Sequence, residues 1–547
     1  MHEFRAHRER DRWLICRISW SAQLITEAST AMPGKSTLKV RGSRFTKPQV
    51  RVRDTREAEG ITAQFMAQMR GASTAGCLEL DGLQQRPLPT ELQRLDYQCD
   101  RPELTHFAGV PAFLQFAYSL GLAERLAQVP LSKRQSVYAP GKLCEVIVAL
   151  LAAGLERVSH VDDYTTDPGL CAALGLPRLP DQSTLSRMFD DATPETVAAM
   201  RRLNQEFAGD SLRHSHCPAR VVVDCDTRVV GVYGKQEGAK RTPCNGGSPQ
   251  FTFEITALRN NHDMLDGGLL PGATHPVPLF EARCDTVLEQ LAGTAREVIW
   301  CADAAWYAAS ILQRLEAADA DPAVRCVCKY AIRAQGRPRL RAAIGAIPQA
   351  QWQPCGEDLE VAEFNFAFKE TRQGKDERPR RYVVTRKALA DKPVPGGQGS
   401  LLPQPRYEYW AIVTNLDWKP AKVWALYNGR TTVESILKES ALGFQMDSLP
   451  SQRFAGNALF CQLLIASYNH VNLFRRACLP VERARHYVQG LRRKLLAVPG
   501  LIDRRASRLV IHCAAQGPHV ELLAAVMQRL AELVPPPRAA LPAAAAT

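Results

Sequence analysis

The sequence predicts an α/β protein in which a β-rich segment interrupts the sheet region and a helical region precedes it. Three stretches carry this expectation. Val221 to Tyr233 (VVVDCDTRVVGVY) is rich in β-branched residues and places Asp224 and Asp226 on the same side of one strand. Glu297 to Asp303 is a second apolar run ending in an acid, and Ala304 to Leu315 after it reads as a helix. Between Leu104 and Phe207 the apolar residues recur at three and four, as in Val110, Phe113, Leu114, Phe116, Ala117 and again in Leu143, Ile147, Leu150, Leu151.

In chain order, residues 1 to about 65 show no sustained period and carry Lys35, Lys39, Arg41, Arg44, Lys47, Arg51, Arg53 and Arg56 with one acid, Asp54, among them. A basic arm on a polyanion and a disordered extension both fit. After the helical repeats, Asp167-Pro168, Gly175, Pro177 and Pro180 break the chain, and a helix restarts with Asp181 or Ser183 as its cap. Its first turn holds Gln182, Ser183, Thr184, Ser186 and Arg187, polar side chains that suit a DNA groove or serve as caps. The strand from Val221 leads through a glycine-rich turn to another at Phe251 to Leu258, and Val324 to Tyr330 follows the second acid-tipped run. From Arg337 to Pro420 short strands are expected at Glu363 to Phe368, Arg381 to Arg386 and Tyr407 to Asn415, with a flexible turn at Pro393 to Gly399. Leu459 to Tyr468 reads as an apolar helix, the region beyond Arg475 is strongly basic, and the proline- and alanine-rich end reads as a disordered tail.

Composition narrows the function classes. The 547 residues carry a formal net charge of +13, which favours a polyanionic partner such as nucleic acid. Sixteen cysteines without a CxxC spacing exclude a zinc ribbon or a disulfide framework by pattern and read as reduced thiols. No apolar run approaches the ~20 residues of a membrane span. A cytoplasmic, soluble protein without membrane partners is expected.

Tyr427, Arg430, Glu434 and Lys438 stand three, four and four residues apart, a spacing that stacks them on one helix face. A carboxylate flanked by two cations and a phenol suits joint binding of metal and phosphate. A solvated face with an i, i+4 ion pair is the alternative. Two further acids make the chemical reading sharper: Asp226 on a strand and Asp303 at a strand end. They precede Glu434 in an order spaced by 77 and 131 residues.

This order resembles the DDE transposases of bacterial insertion sequences, and in finer detail the group numbered thirteen-eighty, related to the group numbered four. The residues that carry the resemblance begin with Asp167-Pro168, Ser183-Thr184-Leu185-Ser186-Arg187, Asp226-Thr227 and Tyr233-Gly234-Lys235-Gln236-Glu237-Gly238. Ala302-Asp303, Glu434 to Glu439, Gly443, Asp447, Leu449, Phe454 and Asn457 complete them, and Tyr427, Arg430 and Glu434 match the Tyr-x2-Arg-x3-Glu signature of the wider superfamily. The signature has a lysine seven residues after the glutamate, where this chain has Ala441; Lys438 sits at the narrower group's spacing. Ala304-Ala305-Trp306 also differs from the small polar residue, glycine and aromatic usual after the second aspartate.

The resemblance implies a ribonuclease-H-like catalytic domain with a β-rich insertion, preceded by a helical DNA-binding domain. The expected boundaries are a basic extension at 1–65, the helical domain at 66–215, the catalytic domain at 216–335, the insertion at 336–420, closing helices at 421–475 and a basic C-terminal region at 476–547. It implies that Asp226, Asp303 and Glu434 are catalytic and hold two Mg²⁺ ions, or Mn²⁺, for cleaving and rejoining DNA strands. Arg430 and Lys438 are then expected to clamp phosphates, Tyr427 to position the strand, and Ser183, Thr184 and Arg187 to contact DNA. Its partners would be double-stranded DNA at terminal inverted repeats and targets, and a second copy on paired ends, in association with the bacterial nucleoid. A catalytically idle DNA-binding derivative and a metal-dependent nuclease that does not join strands are the alternatives.

Overall fold

The computed structural model describes residues 100–131, 137–215, 217–242, 246–367, 378–389, 407–484, 487–505, 508–514 and 516–534. All lie in the second of two units into which the chain divides, 99–547. The expected basic extension at 1–65, the turn at 393–399 and the alanine-rich tail fall outside the described residues.

A short strand, β1 (Leu104–Thr105), precedes six helices: α1 (Val110–Ser119), α2 (Leu122–Leu126), α3 (Pro140–Ala153), α4 (Pro168–Leu174), α5 (Gln182–Asp190) and α6 (Pro194–His214). Their starts follow from local chemistry. Proline opens α3, α4 and α6, where its missing N–H costs nothing. The Asp167 carboxylate accepts from the amides of Gly169 and Leu170, and that of Asp181 accepts from Thr184. Asp167 also accepts from the Thr105 hydroxyl at 2.7 Å and the His106 amide at 3.1 Å, so the Asp167-Pro168 pair ties β1 to α4.

The sheet region then supplies β2 (Arg220–Gly231), β3 (Lys240–Arg241), β4 (Pro249–Leu258), β5 (Met264–Leu270), α7 (Phe280–Leu291), β6 (Glu297–Ala302), α8 (Ala309–Ala320) and β7 (Val327–Arg333). Next come α9 (Pro338–Gly345), β8 (Gln353–Gly356), β9 (Leu359–Ala367), β10 (Pro379–Ala388) and β11 (Tyr407–Thr414). The chain closes with α10 (Pro420–Asn428), α11 (Thr431–Gly443), α12 (Phe454–Cys478), α13 (Val488–Leu491), β12 (Gly500–Arg505), β13 (Arg508–Cys513) and α14 (Pro518–Leu533). Among the described residues no helix is long and apolar enough to cross a membrane.

Ten strands form one mixed sheet in the order β3-β4-β2-β6-β7-β11-β10-β9-β8, with β5 also paired to β4. β2, β4 and β5 run antiparallel to one another in succession, whereas β2, β6 and β7 are parallel. Helices cover both faces. Val221, Val223 and Cys225 of β2 pack with Leu212 of α6, Val287 of α7 and Leu312 of α8, while Ile299, Cys301 and Ile412 pack with Val423 of α10 on the other side. This is an α/β fold built on one mixed sheet.

Two expectations are corrected here. The segment 336–420 does not interrupt the sheet but extends it, because β11 pairs with β7 at Ile412↔Arg333, Val413↔Ile332 and Thr414↔Ala331. Alternation identifies a strand, yet says nothing about its neighbour. The helix expected from Ala304 to Leu315 is broken: Ala304–Trp306 form one tight turn, Ala308 is extended, and α8 starts at Ala309. Trp306 and Tyr307 are buried at 1% and 3% exposure, and the Tyr307 hydroxyl is 2.8 Å from that of Tyr382. Burying two large rings outweighs the helical preference of the alanines around them.

The helix α12 is buried nearly all round. Its polar residues explain how. Asn469 accepts from the Met264 amide at 2.9 Å and donates to its carbonyl at 2.8 Å, Gln462 donates to the Gly267 carbonyl and Asn472 to that of Asn261. Amide side chains on one helix face thereby satisfy backbone groups of β5 and its approach, which would otherwise be left unpaired at a sheet edge. The helical region packs on the same helix: Phe113 and Phe116 stand edge-on to Phe474, Phe189 to Phe460, and Phe207 stacks on His470 at 3.9 Å. Residues expected as separate helical and closing segments therefore share one core.

His470 is fully enclosed. One ring nitrogen is 2.8 Å from the Ala466 carbonyl, the other has no partner, and burial pushes its pKa from 6.5 down to about 4. A depressed imidazole contributes stability that is complete above the unfolded pKa and is lost as pH falls towards the folded one. Denaturant midpoints are expected to drop between pH 6.5 and 4 by the equivalent of roughly 3 kcal/mol. His470→Phe should flatten that slope; an unchanged slope would show that other groups set it.

Candidate active site

The parallel pairing of β2 with β6 runs from Arg220↔Glu297 to Cys225↔Ala302. Asp226 is the next residue of β2 and Asp303 the first residue after β6, so the sheet itself delivers two acids side by side. One oxygen of each is held by a nearby backbone amide: Thr227 donates to Asp226 Oδ1 at 2.8 Å, and Ala305 donates to Asp303 Oδ1 at 2.9 Å. Glu434 lies exposed in the first turn of α11, where the helix dipole favours negative charge.

Asp226 is pushed up to about 6 chiefly by burial, and further by the charges of Asp303 and Glu434, against the opposing pull of Arg430. Asp303 and Glu434 thus both lie within electrostatic reach of Asp226. They are not gathered at ligand distance: among the described residues no three His, Cys, Asp or Glu side chains form a group that could hold a metal ion. Instead the Arg430 guanidinium stands 3.1 Å from Asp226 Oδ2, with the two side chains only 9% and 13% exposed. It is the one cation ion-paired to these acids among the described residues. As a donor set, three carboxylates offer the hard oxygen ligands a divalent cation takes, and their mutual repulsion is what such a cation relieves.

The stretch from Tyr427 to Lys438 is not one helix. α10 ends at Asn428 and α11 starts at Thr431, with 3₁₀-type bonds from the Arg430 amide to the Tyr427 carbonyl and from Val433 to Arg430 between them. Arg430 turns inwards, 8% exposed, while Glu434 and Lys438 remain on the surface. The break has a cause in Arg259. Its guanidinium holds Asp224 through two bonds of 2.7 and 2.6 Å and donates to the Leu426 carbonyl at 2.5 Å. A Cβ on Gly429 would lie 2.6 Å from that guanidinium, so only glycine leaves room.

Asp224, a rival for Asp226 by its place on the same strand face, is 1% exposed and satisfied by Arg259 rather than by metal or solvent. Sequence reasoning missed Arg259; a lone arginine after a strand carries no signal of its partner. Tyr427 is half-buried, and its hydroxyl accepts from Arg430 at 3.4 Å. Ser183, Thr184 and Arg187 lie together on the outer face of α5, where Arg187 donates to both hydroxyls at 3.3 Å. Other residues that carry the resemblance hold the fold around the acids. Glu237 accepts from the Phe454 amide at the start of α12, Gln236 accepts from Asn457, and Asp447 pairs with Arg228 of β2.

A family model described as transposase DDE domain group 1 matches residues 91–535. The chain belongs to that family and is a DNA transposase; its partner is DNA, and DDE transposases generally work with divalent metal ions. No curated protein sequence matches it. Among solved structures it is similar to the piggyBac transposase synaptic complex with hairpin DNA, at 10% identity over 80% of this chain and 83% of that one, with a TM-score of 0.39.

Proposed function

We propose that this transposase, of the insertion-sequence group numbered thirteen-eighty, binds the terminal inverted repeats of its element, cleaves there, and joins the freed 3′ ends to target DNA. Asp226, Asp303 and Glu434 would hold two Mg²⁺ ions, with Mn²⁺ as a substitute. When bound, these supply an activated hydroxyl and charge neutralisation at the leaving oxygen. The observation that carries this reading is the parallel β2–β6 register that sets Asp226 beside Asp303, each with one oxygen held by a backbone amide.

The chain's own residues then have distinct tasks. The backbone amides of Thr227 and Ala305 orient the two aspartates, leaving one oxygen of each for a ligand. Lys438, exposed one turn beyond Glu434, meets a phosphate from solvent. Tyr427 positions the strand beside Arg430. Ser183, Thr184 and Arg187 contact the duplex through the outer face of α5. Two copies act on paired ends.

The test is incubation of the full chain with Mg²⁺ and duplexes carrying the element's ends, against the same mixture with chelator. Metal-dependent cleavage followed by joined product supports the proposal. Cleavage without joining would make the protein a nuclease, and binding without cleavage an idle derivative. Affinity for the duplex is expected to fall roughly 10³-fold or more between 50 and 200 mM salt if six or more phosphates are contacted. A flat response in a filter-binding titration would remove the basic surface from the account.

A further inference from the structure

Two arginines approach the carboxylates of β2, and they are held very differently. Arg259 is saturated, with both Asp224 oxygens and the Leu426 carbonyl as partners at 2.5 to 2.7 Å. Arg430 makes three single, longer contacts: 3.1 Å to Asp226 Oδ2, 3.3 Å to the Cys225 carbonyl and 3.4 Å to the Tyr427 hydroxyl. Its Nε is buried without a hydrogen-bond partner. A desolvated cation with an unmade bond is poorly settled where it lies.

The atom it touches matters. Asp226 Oδ1 accepts from the Thr227 amide, and Arg430 lies on Oδ2, the oxygen without a backbone donor. A guanidinium resting on that oxygen repels a divalent cation and so weakens its binding there. A phosphate, in contrast, offers Arg430 a bidentate partner of opposite charge that the carboxylate does not provide here.

We propose that Arg430 is a displaceable latch: it holds Asp226 and keeps divalent metal out until a DNA phosphate draws it away, so metal loading waits for DNA. This rests on the assignment of Asp226, Asp303 and Glu434 as metal ligands and adds an order of events to it. Linkage then requires that metal and DNA strengthen each other's binding by the same factor. The latch keeps an enzyme that cuts DNA from carrying a loaded metal site before its substrate has arrived.

The experiment is a Mn²⁺ titration followed by electron paramagnetic resonance, on the full chain with and without a short end-bearing duplex, the duplex's own binding being subtracted. Wild-type protein is expected to bind Mn²⁺ at least tenfold more tightly with the duplex than without it. Arg430→Gln is expected to bind at least tenfold more tightly than wild type without DNA and to gain little from the duplex. Arg430→Lys, which keeps the charge, should stay close to wild type. Equal affinity of wild type and Arg430→Gln without DNA would overturn the latch. Should Arg430→Gln fail to fold, absence of any duplex effect on wild-type affinity does the same. If Asp226→Asn and Glu434→Gln bind Mn²⁺ as wild type does, the ligand assignment itself is at fault; if they lose it while Arg430→Gln gains nothing, only the latch falls.

Discussion

Asp226→Asn is expected to reduce DNA cleavage by roughly three orders of magnitude or more, about 4 kcal/mol of barrier, while leaving DNA binding largely intact. The amide keeps the shape of the carboxylate and its place after the last β2–β6 pair, Cys225↔Ala302, but cannot offer two anionic oxygens to a hard cation. Asp303→Asn and Glu434→Gln are expected to behave alike, since each removes one of the three charges that converge on this end of the sheet. Single-turnover cleavage, set beside gel-shift affinity and circular dichroism of the same preparations, separates loss of chemistry from loss of fold. Cleavage retained in any one variant would strike that residue from the ligand set.

The second large effect lies one alternation back along the same strand. Arg259→Met leaves Asp224, 1% exposed, without its bidentate partner, and is expected to destabilise the protein by roughly 3–5 kcal/mol. Burial already pushes the Asp224 pKa up while Arg259 holds it down, so without the arginine the acid is driven to take up a proton or to drag water into the sheet. The same substitution releases the Leu426 carbonyl and with it the join between α10 and α11 that carries Arg430 and Glu434. The double variant Asp224→Leu with Arg259→Met should recover most of the stability in urea unfolding, because a pair removed together leaves no stranded charge. It should recover less of the cleavage, which needs the join. Full recovery of both would mean that Arg259 does nothing for the site.

Elements with a strong period of their own were legible before any coordinates. The β2 alternation, the acid at the end of β6 and the apolar faces of α1 and α3 depend on neighbours within a few residues, and local patterning reports them. Asp226, Asp303 and Glu434 could be put in order as candidates because carboxylates are chemically conspicuous at such places. The join between α10 and α11 was not legible. Tyr427, Arg430, Glu434 and Lys438 have perfect helical spacing, yet Gly429 gives way to an arginine 170 positions earlier in the chain. The partner of β11 was equally hidden, since an alternating segment pairs as well with one strand edge as with another.

What the sequence by itself determined is therefore which residues have the chemistry, and on which kinds of element they ride. What only the tertiary structure decided is how tightly each of two aspartates on one strand face is paired. Asp224 and Asp226 are the same residue type two positions apart, but Arg259 neutralises the first completely and Arg430 only loosely holds the second. Charge pairing in a buried site is set by distance through space, and no local pattern encodes a distance between residues so far apart along the chain.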